Sequence, residues 1–285
     1  MTQHLLSLKM RSALNNLSEL RQRIVAALAG VAIILSAIIW SEWGYFAIFF
    51  LICMFSMLEF YKLLGLDGNV PLKTYGTMNG LLMFTLTFLV EKRIISDKYY
   101  LLIFLGLSVV YVIILYRKAE LKPFASIAFT FLGIIYVGTP FALLNITVFV
   151  HDKYHAEIII GLLFILWASD TGAYFAGKNF GKTPLFPRVS PKKTWEGTIG
   201  GGLLAFSMAT IFAYNFKSLE SWQWFFIAFI MVVAGTYGDL VESLFKRSIQ
   251  IKDSGNSIPG HGGFLDRFDG LLIASPIIVV FINLF

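Results

Sequence analysis

Long apolar runs separated by short charged stretches fill almost the whole chain. Nine of these runs have lengths suited to crossing or entering a bilayer. They lie at about 24–41, 44–60, 76–91, 99–116, 124–149, 157–176, 198–216, 223–243 and 267–285. The run at 76–91 is short, and the one at 124–149 is interrupted by Gly138-Thr139-Pro140, so either is expected to form a kinked or partial span. The pattern predicts an all-α integral membrane protein with about nine transmembrane helices. Residues 1–23 precede the first run, with Leu6, Met10, Leu14 and Leu17 on one helical face beside Lys9, Arg11, Arg21 and Arg23. This predicts a short amphipathic helix on the cytoplasmic membrane surface. No small-residue cleavage site follows a short apolar core, so the first run is expected to remain as a helix.

Composition supports this picture. Of 285 residues, 57% are hydrophobic and 14% charged, against about 25% charged in soluble domains. The net charge of +6 would suggest nucleic acid in a soluble protein. Here the basic residues border apolar runs, so lipid headgroups, phosphorylated substrates and topology explain them, and no nucleic-acid partner is expected. With the N-terminus in the cytoplasm, one set of loops holds Lys9, Arg11, Arg21, Arg23, Lys62, Lys73, Arg117, Lys118, Lys122, Lys178, Lys182, Arg188, Lys192, Lys193, Lys246, Arg247, Lys252 and Arg267. The other holds only Lys92, Arg93, Lys98, Lys153 and Lys217. The positive-inside rule favours this orientation, with the loops 177–197 and 244–266 both facing the cytoplasm. The lone cysteine, Cys53, lies in an apolar run and is expected to face core or lipid.

Chemistry concentrates in one part of the chain. The helices of 24–156 carry few charges; Glu59, near the end of the second run, is expected to be structural or solvated at the interface. The C-terminal region, 157–285, holds most of the intramembrane polar groups. Asp170 follows a long apolar run and must face a cavity, a cation or the interface. Gly172, Ala173, Ala176 and Gly177 beside it permit close helix packing. Asp239 and Glu242 are three residues apart, as are Asp266 and Asp269, so each pair shares a helical face. When the two helices pack, these pairs can converge on a hard divalent ion, which takes oxygen ligands and substrate phosphates. Helix-dipole compensation is the structural alternative.

Between residues 177 and 197 the chain is basic and rich in glycine and proline. Ser190-Pro191 sets a turn, Lys192-Lys193 present adjacent cations for phosphate, and Thr194 with Glu196 are expected to cap the next helix. Lys178, Lys182 and Arg188 are assigned to topology. His261 stands in a Gly260-His261-Gly262-Gly263 turn, where backbone N–H groups can approach an anion. There is no GxxxxGK[ST] loop, no GxGxxG after a strand, no cysteine–histidine zinc pattern and no convincing hydrolase triad.

The stretch from Ser243 to Asp269 resembles the signature of the phosphatidate cytidylyltransferases, or CDP-diacylglycerol synthases. Ser243, Lys246, Arg247, Lys252, Asp253, Pro259, His261, Gly262, Gly263, Asp266, Arg267 and Asp269 occupy every fixed position of it. The segments Ser169–Tyr174 and Ser190–Gly197 are similar to further family segments. The resemblance implies that CTP and phosphatidic acid are converted to CDP-diacylglycerol and pyrophosphate by a multi-span enzyme, with a homodimer expected. It implies Mg²⁺ on Asp239, Asp266 and Asp269, and leaves room for a second metal or a monovalent cation. Asp239, Asp266, Asp269, Lys246 and Arg267 are the expected catalytic residues. Lys192, Lys193, Arg247, Ser190, His261, Gly262, Gly263 and Asp170 are the expected substrate-binding residues. The expected location is the bacterial inner membrane, with the site facing the cytoplasm. A CTP-dependent lipid-alcohol kinase and a cation or proton transporter are the competing readings.

Overall fold

The computed structural model describes residues 25, 27–66, 68, 70–118, 121–150, 152–251 and 263–285. The expected amphipathic helix at 1–23 lies outside them, as do Lys252, Asp253, Pro259, His261 and Gly262. The described chain is an all-α membrane protein: α1 (Ala27–Trp40), α2 (Glu42–Leu66), α3 (Lys73–Glu91), α4 (Leu101–Leu115), α5 (Pro123–Gly133), α6 (Thr139–Val148), α7 (Ala156–Phe180), α8 (Trp195–Asn215), α9 (Ser221–Ser248) and α10 (Leu265–Leu284). Each of the nine apolar runs carries helix. Six helical stretches among the described residues are long and apolar enough to cross a membrane. Two small hairpins were not expected: β1 (Phe149–Val150) pairs with β2 (Lys153–Tyr154), and β3 (Pro184–Phe186) pairs with β4 (Ser190–Thr194).

The interruption at Gly138-Thr139-Pro140 does not break the chain's helical path. Residues Ile134–Gly138 form a π-helical turn joining α5 to α6. Proline removes a backbone donor and crowds the preceding turn, and the wider turn makes room for it. The Thr139 hydroxyl donates to the Ile134 carbonyl at 3.1 Å, satisfying an acceptor the altered ladder exposes.

Around this kink, α2, α3, α5 and α6 pack through side chains that fill glycine gaps. The Tyr61 ring lies against both Gly76 and Gly133, and its hydroxyl donates to the Thr130 carbonyl at 2.6 Å. Met57 fills the space beside Gly80 and Gly138. Asn145 is fully buried and donates to the Phe84 carbonyl at 2.9 Å and to Thr87 Oγ1 at 2.8 Å, pinning α6 to α3. Such polar contacts hold membrane helices together where apolar burial gives little preference between protein and lipid. Cys53 faces this core. Glu59 is also buried, only 5% exposed, and accepts the Leu265 N–H at 3.2 Å. Its expected solvated alternative therefore fails, because the start of α10 covers it.

A continuous apolar core passes from these helices into α7, α8, α9 and α10. Here small residues meet backbone. A Cβ on Gly172 would lie 2.5 Å from the Gly200 carbonyl oxygen, and one on Gly201 would lie 2.7 Å from that of Ser169. The seam of Gly172, Ala173, Ala176 and Gly177 thus brings α7 against α8 at close range, as expected from their spacing. A second seam joins α9 to α10: a Cβ on Gly238 would lie 2.5 Å from the Asp269 carbonyl oxygen and 2.9 Å from Gly270 Cα.

Candidate active site

The polar residues meet where α7 and α9 end and α8 and α10 begin. Two of these helices overrun their apolar stretches: α7 continues to Phe180, and α9 to Ser248. Hydropathy marks where a helix leaves lipid, whereas lysine and arginine sustain a helix well. The extra turns matter. They place Lys246 on a helical face with Glu242, and α7 runs on almost to the β3–β4 hairpin.

Thr194 ends β4 and caps α8, its hydroxyl oxygen accepting the Gly197 N–H at 3.2 Å. Glu196 does a different job from the expected cap. Its carboxylate accepts the backbone N–H groups of Lys182 at 3.1 Å and Thr183 at 3.2 Å, while the Trp195 N–H bonds the Thr183 carbonyl at 3.0 Å. These contacts tie the base of the hairpin to the first turn of α8, which aims Lys192 and Lys193 inward.

A cavity of about 400 Å³ opens between α7, α8, α9, α10 and β4. Asp170, Lys192, Lys193, Asp239, Glu242, Lys246, Asp266 and Asp269 all line it, with Ser169, Tyr174, Thr194, Thr198 and Thr236 among their neighbours. Lys193 pairs with Asp239 and donates to the Thr236 carbonyl at 3.4 Å. Asp239 also accepts from Ser243 Oγ at 3.3 Å. Lys246 bridges two helices, donating to Glu242 Oε2 at 3.1 Å and to Asp266 Oδ1 at 2.8 Å. The other Asp266 oxygen accepts the Gly263 N–H at 3.1 Å. Asp269 Oδ1 accepts the Gly270 N–H at 2.6 Å, which fixes its carboxylate at the Gly238 seam.

Seven of the expected site residues thus come together: Asp170, Lys192, Lys193, Asp239, Lys246, Asp266 and Asp269. Four described ones do not line the cavity. Ser190 stands at the far end of β4, opposite Phe186. Arg247 and Arg267 are exposed beside the site, and Gly263 is buried with its N–H engaged by Asp266. His261 and Gly262 fall outside the described residues. Lys178, Lys182 and Arg188, assigned to topology, stay away from the cavity. Glu242 is the residue underrated from sequence. It is 1% exposed, it binds Lys246, and its Oε1 is buried with no hydrogen-bond donor among the described residues. Its three-residue spacing from Asp239 and four-residue spacing to Lys246 were the available signals.

The donor set suits a hard cation: carboxylate oxygen atoms of Asp170, Asp239, Glu242, Asp266 and Asp269, with Glu242 Oε1 buried and without a donor among the described residues. Among the described residues, no three acidic, histidine or cysteine side chains close on one point. An ion there needs further ligands, and Mg²⁺ commonly takes these from water and substrate phosphates.

Residues 21–285 match the model of a cytidylyltransferase family. The chain belongs to that family. Among similar cytidylyltransferases is the phosphatidate cytidylyltransferase of Haemophilus influenzae, 39% identical over 180 residues, covering 60% of this chain and 62% of that protein. The Bacillus subtilis phosphatidate cytidylyltransferase is 40% identical over 163 residues, covering 57% of this chain and 60% of that one. The phosphatidate cytidylyltransferase of Mycobacterium leprae is 44% identical over 124 residues, 43% of this chain and 39% of that protein. The match spans about three fifths of the length of the first two.

Proposed function

We propose that this cytidylyltransferase acts as a phosphatidate cytidylyltransferase, joining CTP and phosphatidic acid to give CDP-diacylglycerol and pyrophosphate. The observation that carries the reading is the convergence of three lysines and five carboxylates on one cavity at the ends of membrane helices. A phosphate oxygen of the lipid attacks the α-phosphorus of CTP; that P–O bond forms as the bond from the α-phosphorus to the bridging oxygen of the β-phosphate breaks, and pyrophosphate leaves with the electron pair. The attacking oxygen is already ionised, so no strong general base is needed. Both reactants are anions, and catalysis rests on positioning and charge neutralisation. Lys192 and Lys193 enter from the hairpin side and suit the triphosphate. Lys246 enters from α9 and, with Arg267 and Arg247 nearby, suits the phosphates at the reacting end. Asp239, Asp266 and Asp269 are the carboxylates that would hold Mg²⁺, one or two of them binding an ion that takes its remaining ligands from water and phosphate, and the ion would supply further charge neutralisation. A second metal or a monovalent cation has further oxygens within the same cluster. His261 and Gly262 are assigned to substrate positioning from the signature they complete.

The same reading takes all nine runs as membrane segments, with the N-terminus in the cytoplasm, residues 157–285 as the catalytic region, and the site at the cytoplasmic face of a bacterial inner membrane. The bias of basic residues towards one set of loops supports the orientation, and the bacterial sources of the relatives support the location. A homodimer follows from the family resemblance alone.

The test uses purified protein, phosphatidic acid, Mg²⁺ and CTP labelled at the α- or γ-phosphate. Transfer of the α-label to lipid with pyrophosphate release is expected. Transfer of the γ-label to a lipid alcohol would replace this reading with a kinase. Cation flux without nucleotide would replace it with a transporter.

A further inference from the structure

We infer that Glu59, on a helix that contributes nothing to the cavity lining, is a positioning residue that sets the start of α10 and so the placement of Asp266 and Asp269. The first turn of any helix presents N–H groups without intrahelical partners. Among the described residues, the Asp266 carboxylate takes the Gly263 N–H at 3.1 Å, but Phe264 has helical dihedrals, φ −65° and ψ −39°, and an apolar side chain that offers the Leu265 N–H no acceptor. Glu59 Oε2 takes the Leu265 N–H instead, at 3.2 Å, from 206 residues away in sequence. A buried carboxylate is costly without compensation, and the positive end of a helix supplies it.

The surrounding contacts act on the same joint. Phe55, four residues before Glu59 on α2, stacks on Phe264 with ring centroids 5.1 Å apart. Phe60 stacks on Phe245 of α9, also at 5.1 Å. The α2 helix therefore grips the end of α9 and the beginning of α10 together. The next residue after Leu265 is Asp266, which receives Lys246 from α9. Release of the Leu265 amide lets the first turn of α10 fray, and Asp266 and Asp269 move relative to Lys246 and Asp239. Glu59 thus acts through α10 without touching substrate.

This inference rests on the proposed cytidylyl transfer for its kinetic readout, so the experiment carries a second readout that does not. Wild type, Glu59→Ala and Glu59→Gln are compared in full-length purified protein. Hydrogen exchange of residues 263–269 is expected to quicken about tenfold in Glu59→Ala and less in Glu59→Gln, whose amide oxygen still accepts the N–H. The kcat for α-label transfer per folded molecule is expected to fall about tenfold to a hundredfold in Glu59→Ala, with Glu59→Gln between it and wild type. If Glu59→Ala does not fold, the same two measurements on Glu59→Gln decide. Unchanged exchange at the start of α10 overturns the capping. Faster exchange with wild-type kcat leaves a purely structural cap and overturns the positioning role. A wild-type protein inactive with CTP and phosphatidic acid refutes the functional reading and with it the kinetic part; exchange still decides the cap.

Discussion

Around the kink in the N-terminal helices, side chains fill glycine gaps: Tyr61 enters the space of Gly76 and Gly133, and Met57 that of Gly80, while Gly138 lies against Gly80 Cα. At the two seams that frame the site, glycines meet backbone: Gly172 meets the Gly200 carbonyl, and Gly238 meets the Asp269 carbonyl and Gly270 Cα, whereas Gly161, nearer the start of α7, receives the Trp224 ring. The first arrangement interlocks ring and thioether around the kink, and the cavity beside it, about 650 Å³ between α3, α4, α6 and α10, has a mostly apolar lining. The second draws helix axes together at a few points while the larger polar residues beside those points, Asp170, Asp239 and Asp269, surround a cavity of about 400 Å³. The same residue type thus serves rigidity in one region and the framing of a site in the other. Glu59 reaches from the first region to the second.

The largest effect expected on this contrast comes from the site itself. Asp269→Asn keeps the shape of the Gly238 seam and removes a charge from the cavity. Cytidylyl transfer from α-labelled CTP is expected to fall about a hundredfold or more, with an unchanged elution profile on size exclusion. Wild-type activity would remove Asp269 from the catalytic set.

Next comes a paired comparison of the seams. Gly238→Ala forces a Cβ towards backbone that cannot move without shifting α10, and Gly133→Ala forces one into the Tyr61 ring, 2.4 Å away. Each overpacking is expected to cost about 1–3 kcal/mol in thermal unfolding. Only Gly238→Ala is expected to lower kcat in the protein that remains folded. Equal kinetic losses in both would erase the distinction between the two regions.

Lys193→Ala tests the hairpin's part in the cavity. It removes the partner of Asp239, and the KM for CTP is expected to rise about tenfold with a smaller change in kcat, the signature of lost uniform binding. A fall in kcat alone would move Lys193 from nucleotide binding to the reacting centre. The smallest expected effect belongs to the N-terminal block: Tyr61→Phe loses the hydrogen bond to the Thr130 carbonyl, costs about 1 kcal/mol, lowers the unfolding temperature slightly and leaves kcat unchanged.

Membrane class and the helical segments were legible because each depends on a local run of apolar residues. The carboxylate pairs were legible because residues three apart share a helical face wherever the helix sits. The Gly172–Gly177 seam was legible for the same reason. Hydropathy placed the end of α9 too early, since it senses the edge of the lipid and not the end of the hydrogen-bond ladder; Lys246 therefore looked like a loop residue. The hairpin around Ser190 and the inward turn of Lys192 and Lys193 also escaped, because they depend on Glu196 accepting two amides from across the loop.

The sequence by itself determined the membrane class, the helical runs, the family signature and the residue types available for phosphate chemistry, since all of these are carried by neighbours along the chain. Only the tertiary structure decided that Glu242 joins the cavity while Ser190 and Gly263 do not, and that Glu59 caps a helix 206 residues away. Those outcomes turn on which backbones approach within a few ångströms. That depends on how glycines and large side chains from distant segments fit one another, a relation no local pattern encodes.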